Sequence, residues 1–298
     1  MRVAISGASG LIGSALTPAL TAAGHEVRPL VRPGRTRPGR AIAWDPEVGS
    51  LDLGALDGID AVVHLAGESI ASRWTDERKR RIRESRVKGT RLVAEGVARL
   101  AKTPSVLVSA SGVGIYGPRG AEPLDETAAS GTGFLADVCR AWEAAADPAR
   151  AAGIRVVHPR FGMVLSEKGG ALAKLLTPFR LGVAGTVGRG DQYMSWISLD
   201  DAIGVLQRAL ETSELSGPVN TVAPIPVTNR EFTRTLGGVL SRPTVLPMPA
   251  FAAGLVFGEM AQELLLSGQR VVPARLGAIG FRFRHPDLTA ALRSILAR

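Results

Sequence analysis

Short β-branched runs alternate with long amphipathic stretches through the first half of the chain. Arg2–Ser6 reads as a strand, 11–23 as a helix ended by Gly24, Glu26–Val31 as a second strand and 60–66 as a third. From 75 to 102, Ile82, Val87, Leu92, Val93, Val97 and Leu100 recur at mostly three-to-five-residue intervals, the spacing that lines one helix face. Thr75 has Arg78 rather than an acid three residues on, so no reciprocal capping box marks that helix start. The continuous apolar run at 105–109 fits a strand buried on both faces. A Gly/Pro-rich loop at 112–133, a helix at 134–152 ended by Gly153, and a strand at 155–158 follow. Strand, helix and strand repeated in this way predict right-handed crossovers and a doubly wound parallel α/β sheet.

Beyond Arg160 the alternation weakens. Glycines surround a helix at about 171–179; Trp196-Ile197-Ser198 leads into a helix at 200–210, and 219–222 reads as a strand. Helices at 228–240 and 251–266 are separated by Pro243, Pro247 and Pro249. The division expected is a Rossmann-type core at 1–165, completed by about 196–225, with a smaller, mainly helical cap from 166–195 and 226–298.

Composition narrows the classes. With 45% hydrophobic and 21% charged residues in 298, the chain is not a disordered one. The single cysteine, Cys139, cannot close an internal disulfide. The chain starts without a signal-peptide apolar region, and the apolar stretch near its end carries Glu259, Gln262 and Glu263. A cytoplasmic monomer or homodimer with no membrane partner is therefore expected. The net charge of +9 raises nucleic acid as a partner, but no zinc-ligand spacing, RNA-binding strand motif or aromatic-basic interleaving accompanies it. The basic helix through Arg73–Arg86 is interrupted by Glu77 and Glu84, so no nucleic-acid partner is expected. No metal-ligand spacing is present either.

Gly7-Ala8-Ser9-Gly10-Leu11-Ile12-Gly13 directly follows the first strand and opens the first helix. At such a junction the first glycine permits the tight turn, the second lets backbone approach a pyrophosphate, and the third allows helix-on-strand packing. Exposed N–H groups at the helix start then meet phosphate oxygens. The second strand ends at Arg32, with Arg35, Arg37 and Arg40 following and no acid before Asp45. An acid would hydrogen-bond a free ribose 2′-hydroxyl, whereas arginine suits a 2′-phosphate, so the pattern favours NADP(H) over NAD(H). Arg35, Arg37 and Arg40 also read as a solvated loop. His64, inside an apolar strand, reads as a core histidine.

At this point the chain resembles an extended short-chain dehydrogenase/reductase, through its GxxGxxG start, HLAG after the third strand, SASGVGIYG after the next, and SWISLDD. GESI, SRVKGT, Trp142-Glu143, RFGMVLS and LLTPFRLGVAGTVGRGDQYMSWI are similar to the atypical epimerase family within it. Its last part, about 245–298, resembles that family's C-terminal domain of unknown function. The resemblance implies nicotinamide cofactor binding by Gly7, Ser9, Gly10, Leu11, Ile12 and Gly13 at the pyrophosphate, Arg32 at the 2′-phosphate, and Leu65, Ala66 and Gly67 on the adenosine side. It also implies Arg86 as a cofactor contact, Ser109 and Ser111 beside the nicotinamide, and Gly162, Met163 and Val164 at its carboxamide end. Read by itself, Arg86 is equally a surface arginine of a basic helix.

Ordinary members exchange a proton through a Tyr-x-x-x-Lys pair, the lysine lowering the tyrosine pKa. Here only Tyr116 and Tyr193 exist, with Gly120 and Ile197 four residues on, and the expected helix at 134–143 contains no tyrosine. Ser111, Tyr116 and Glu68 remain as candidate proton-handling groups, each with a plain structural role open to it: a loop hydroxyl, a packed ring and an ion-paired carboxylate. Gln192 and Trp196 are candidates for the wall of a substrate cleft, with Trp196 equally placed for the core. The expected function is an NADP-binding oxidoreductase or epimerase-like protein acting on a small polar or nucleotide-linked substrate, or else a non-catalytic NADP(H)-binding sensor or scaffold.

Overall fold

Alternation sets the centre of the molecule: Val3 and Ile5 of the first strand join one apolar layer and Ala4, between them, joins the other. A computed structural model describes residues 1–34 and 41–296. Its first elements are β1 (Arg2–Ser6), α1 (Leu11–Ala22), β2 (Glu26–Val31), β3 (Ile42–Asp45), β4 (Ser50–Leu51), α2 (Leu53–Leu56), β5 (Ala61–His64), α3 (Asp76–Ala98) and β6 (Val106–Ser109). Then come β7 (Ser111–Gly112), a 3-10 turn at Val113–Tyr116, β8 (Pro123–Leu124), α4 (Phe134–Ala144), α5 (Asp147–Ala151), β9 (Arg155–Phe161) and β10 (Met163–Leu165). The C-terminal portion holds α6 (Gly170–Arg180), β11 (Tyr193–Met194), β12 (Trp196–Ser198), α7 (Leu199–Glu211), β13 (Gly217–Thr221), β14 (Val227–Thr228) and α8 (Asn229–Leu240). It ends with α9 (Ala250–Phe257), α10 (Glu259–Leu264), β15 (Arg270–Val271), α11 (Ala274–Ala278) and α12 (Leu288–Leu296).

The main sheet runs β13-β9-β6-β5-β1-β2-β3-β4, with β7 also beside β9. All its pairs are parallel except β3 with β4. Leu16 and Leu20 of α1 and Leu206 and Leu210 of α7 cover one face, and Val93 and Val97 of α3 with Ala146 and Ala149 cover the other. This is the predicted doubly wound α/β sheet, and its order reverses between β1 and β5, where such sheets open a ligand crevice at their carboxyl ends. A third apolar cluster around Trp196, Phe232 and Leu236 joins α6, α8 and α12.

Several elements differ from their predicted extents. The helix expected over 134–152 divides into α4 and α5, with Pro148 in the first turn of α5. The helix expected over 251–266 is two, because Gly258 adopts φ +62 between α9 and α10. Strand β3, which buries Ile42 and Trp44 on alternate positions, is too short for the period-two signal to stand out.

Candidate functional site

The turn after β1 is built for glycine. Gly7 has φ +71, and a methyl group there would lie 2.9 Å from both Ala66 N and Leu65 C, backbone atoms just beyond β5. Gly10 N donates to Gly7 O at 2.9 Å. A methyl group on Gly13 would run into the Gly7 carbonyl oxygen and stand 2.7 Å from Ala8 Cα. Gly10 caps α1 without a side-chain bond, the first turn has no acid, and the first intrahelical bond is Ser14 N to Gly10 O, 2.9 Å. The N–H groups of Leu11, Ile12 and Gly13 therefore precede the helix ladder, beside the half-open Gly7 turn and exposed Ser9 and Gly10. Leu11 leans on Gly170, where a methyl group would meet its Cδ2 at 3.0 Å and the Val164 carbonyl at 3.6 Å, so Val164 closes the same crevice from the far side.

Ser6 and His64 hold the opposite lip. Ser6 Oγ accepts from Leu65 N at 3.2 Å and Ala66 N at 3.3 Å, and lies 2.6 Å from His64 Nδ1. With both N–H groups donating to it, the hydroxyl donates a hydrogen bond to Nδ1, which puts the proton of the neutral imidazole on Nε2. That nitrogen is buried without a hydrogen-bond partner, and the ring stands edge-on to Trp44 at 5.7 Å. Burial lowers the His64 pKa from 6.5 to about 4. The neutral ring thus stabilises the fold fully above about pH 6.5, and the contribution is lost as the pH falls toward about 4. Urea unfolding compared at about pH 7.5 and about pH 5 is expected to show a loss of about 2 kcal/mol from this group. His64→Asn should remove that increment from the pH difference, whatever it does at neutral pH; an unchanged difference would show that His64 is not the acid-sensitive group.

Beyond Ala66 the lip is covered by an arginine. Arg86 Nη1 donates to Glu68 O at 2.9 Å and Ile82 O at 3.0 Å, and its guanidinium lies 4.9 Å from the Trp142 ring centroid. A methyl group on Gly67 would meet the Arg86 Cζ at 3.3 Å. Burial pulls the Arg86 pKa down, opposed by Cys139 and Glu68. No salt bridge to Arg86 is recorded among the described residues. Glu68 is engaged elsewhere: its Oε1 pairs with Arg78 Nη1 at 2.6 Å, and its N–H donates to Ser85 Oγ at 3.1 Å.

Where β6 ends, the hydroxyls differ. Ser109 Oγ is buried without a partner, while Ser111 Oγ donates to Glu143 Oε1 at 2.7 Å. Arg160 grips Glu143 through Nε at 2.8 Å and Nη2 at 3.0 Å, and its Nη1 donates to the Tyr116 hydroxyl at 2.9 Å. Tyr116 in turn donates to Asn220 Oδ1 at 2.7 Å. Asn220 Nδ2 reaches Val272 O at 3.0 Å, and Glu126 accepts from Asn220 N at 2.9 Å and Arg275 N at 3.3 Å. Burial pushes the Glu143 pKa up, but the Arg160 bonds, His158 and Ser111 outweigh it and hold the carboxyl below its ordinary range. Burial raises the Tyr116 pKa against the opposing pull of Arg160. Tyr116 is fully enclosed, so its ring and hydroxyl belong to the interior and not to the cleft wall.

Helix α4 turns Leu135 and Cys139, four residues apart, toward this loop. A methyl group on Gly114 would meet Leu135 Cβ at 3.1 Å, and one on Gly112 would sit 3.8 Å from Cys139 Sγ. Their spacing is that of a Tyr-x-x-x-Lys pair. Neither supplies an acid or base near neutrality, since burial pushes the Cys139 thiol up to about 11. Against Leu135 lies a cavity of about 100 Å³, bounded by Gly114 and Gly117 on one side and Gln262, Glu263 and Gln269 on the other. Glu263 also accepts from Phe134 N at 3.3 Å and Leu135 N at 3.4 Å. It thereby caps an α4 whose own Gly133 offers no side-chain cap. In the sequence Glu263 is only a charge interrupting an apolar stretch; the one local signal of its role here is a helix starting after glycine, which needs a cap from elsewhere.

The remaining candidates scatter. Arg32 is exposed immediately after β2, level with the end of β1. Arg35, Arg37 and Arg40 lie outside the described residues. Gln192 is half-buried and bridges Val187 O at 3.0 Å and Leu265 O at 2.7 Å. Trp196 is not a cleft residue: it is wholly buried, its Nε1 donating to Ile225 O at 3.0 Å, and the apolar cluster of α6, α8 and α12 forms around it.

The glycine turn, the reversed strand order and the β5 and β6 loops converging on one crevice define a Rossmann-type protein of the extended short-chain dehydrogenase/reductase class. The NAD dependent epimerase/dehydratase family model matches residues 3–222, a domain of unknown function matches 248–295, and the chain belongs to this epimerase family. An epimerase family protein of Mycobacterium bovis is 46% identical over 97% of this chain and 96% of its own length. The human epimerase family protein SDR39U1 is 40% identical over all of both chains. The crystal structure of human SDR39U1 with NADPH superposes with a TM-score of 0.87 at 36% identity, covering 99% of each chain. UDP-glucose 4-epimerase of Thermus thermophilus, in complex with NAD, shares the fold alone, with a TM-score of 0.72 at 21% identity over 98% of this chain and 97% of that one.

Proposed function

We propose that this chain is an NADP(H)-binding oxidoreductase or epimerase-like enzyme acting on a small polar or nucleotide-linked substrate. The observation that carries the reading is the crevice between β1 and β5, where methyl-free Gly7 and Gly13, the uncapped start of α1 and the clamped Leu65–Ala66 backbone leave room and N–H donors for a pyrophosphate. Arg32, exposed at the end of β2, supports the choice of a 2′-phosphate. The human relative crystallised with NADPH supports the same choice.

A bound nicotinamide cofactor supplies hydride transfer. Leu11, Ile12 and Gly13 offer N–H groups to its diphosphate. Arg86, a half-buried cation between Gly67 and Trp142 and close to Cys139, would take the missing lysine's place beside the cofactor. Ser111 has committed its proton to Glu143 and so presents a lone pair, suited to accept from a substrate hydroxyl. The cavity at Leu135 carries carboxamides and the Glu263 carboxylate with no cation in its lining, which suits a neutral hydroxylated group better than a phosphate.

The cofactor reading is tested by thermal shift with NADPH, NADH, NADP and NAD. The phosphorylated pair should stabilise the protein more strongly, and Arg32→Ala should reduce that preference about tenfold or more in apparent affinity. Equal stabilisation by NADH and NADPH would overturn the role of Arg32. Leu135 and Cys139, in place of an acid–base pair, favour a second reading, a cofactor-binding sensor or scaffold without chemistry. Absence of NADPH-linked turnover across a broad panel of carbonyls and sugar nucleotides would select it.

A further inference from the structure

An apolar surface stands apart from the cleft. Helix α9 is apolar along its whole length, yet Ala253 is the single residue it buries. Phe251 and Leu255, one turn apart, are each 72% exposed, and Val256 is 59% exposed. The surface continues through the segment before α9, where Val245 pairs with Gly185 and Met248 with Val187. Val245 is 75% and Val183 54% exposed there. Isolated exposed apolar side chains need no account, but a contiguous set does.

The charge within the segments that build this surface has one sign. The two stretches that build it, 168–190 and 232–258, contain no Asp or Glu, although the chain has 27 acids; they carry Lys168, Lys174, Arg180, Arg189, Arg234 and Arg242. Arg73, also exposed, donates from Nη1 to Leu255 O at 3.1 Å and places a further cation directly on α9. Arg180 and Arg242 flank the other end, where Gly182 abuts Pro243. Of the acids that border these stretches, Glu259 is paired with Lys79 at 2.8 Å, Asp191 with Arg189 at 2.7 Å, and Glu231 closes the capping box of α8, so none of these three is set against Arg73, Arg180 or Arg242.

We propose that α9 and the 181–187 and 243–249 segments dock on an anionic phospholipid surface, with Phe251, Leu255 and Val256 entering the interface and Arg73, Arg180 and Arg242 meeting headgroup phosphates. The charge decides between occupants. A second copy would bring the same cations against themselves in a two-fold interface, with no acid in either stretch to offset them. A bilayer offers both halves of the match, apolar depth beneath an anionic plane. No described helix is long and apolar enough to cross a membrane, so the contact is peripheral. This revises the sequence-based expectation of no membrane partner.

Flotation of the full chain with phosphatidylcholine vesicles containing about one-third phosphatidylglycerol tests the proposal. Binding is expected to these vesicles and not to pure phosphatidylcholine, and to weaken steeply with salt. Phe251→Ser with Leu255→Ser should lower the bound fraction about tenfold or more, as should Arg73→Gln with Arg242→Gln, while thermal unfolding stays close to wild type. No binding to either vesicle, or binding indifferent to both double variants, would overturn it. So would a dimer in sedimentation that Phe251→Ser with Leu255→Ser dissociates, which would assign the surface to a second copy.

Discussion

Arg160→Met is expected to destabilise the fold by about 3–5 kcal/mol, because it strands a buried carboxylate. In the native protein the Glu143 and Arg160 side chains are 15% and 9% exposed and bonded at two points. The arginine also lies over the Tyr116 ring, its Cζ 5.2 Å from the centroid. The pH dependence should change sign. In wild type the depressed Glu143 pKa gives stability that is present above the unfolded carboxyl value of about 4.3 and is lost as the pH falls through the folded value. In the variant, burial without the cation raises the folded pKa, so acidification should recover stability as the pH falls through that raised value. Urea unfolding across pH 4 to 8 reads both slopes, and adding Glu143→Gln should restore part of the loss. A cost below about 1 kcal/mol would mean that water reaches Glu143 and solvates its charge.

Gly7→Val should remove cofactor-dependent stabilisation altogether and cost about 2–4 kcal/mol in the free protein. The side chain would have to adopt φ +71, a conformation costly for a β-branched residue, while its Cβ overlapped the Leu65–Ala66 backbone. Displacing that backbone also pulls on the Ser6 and His64 clamp. Gly24→Ala is the matched control. It too has positive φ, +81, but nothing lies within 4 Å of the added methyl group. It should therefore cost about 1 kcal/mol and leave the NADPH-induced shift intact. If both variants kept the shift, the Gly7 turn would not be where the cofactor phosphates bind.

The glycine turn and the alternating strands were legible because they are local: Gly7, Gly10 and Gly13 fall within one turn and one helix start, and each period can be read in a single window. The polar chain beneath the cleft was not. Tyr116 and Asn220 are 104 residues apart, and Asn220 and Val272 a further 52, so only the sheet brings them together. Glu263 was hidden for the same reason, being 128 residues from the Leu135 N–H it serves. Ser111, Tyr116 and Glu68 were visible as chemistry-bearing residue types, but their partners decide what each can do: Glu143 accepts the hydrogen bond of Ser111, Arg160 and Asn220 enclose Tyr116, and Arg78 neutralises Glu68. Trp196 shows the reverse limit, since a large aromatic near a loop gives no sign from sequence of which side it faces.

The bonds from Asn220 to Val272 and from Arg275 to Glu126, with β15 paired to β8, tie the C-terminal region into the sheet's edge. Two family models divide this chain between 222 and 248. The molecule does not divide there. A terminal segment that supplies the acceptor for Asn220 and the cap for α4 cannot be traded for another without reworking its host, so the two regions are expected to be inherited together, as one heritable unit rather than as interchangeable modules.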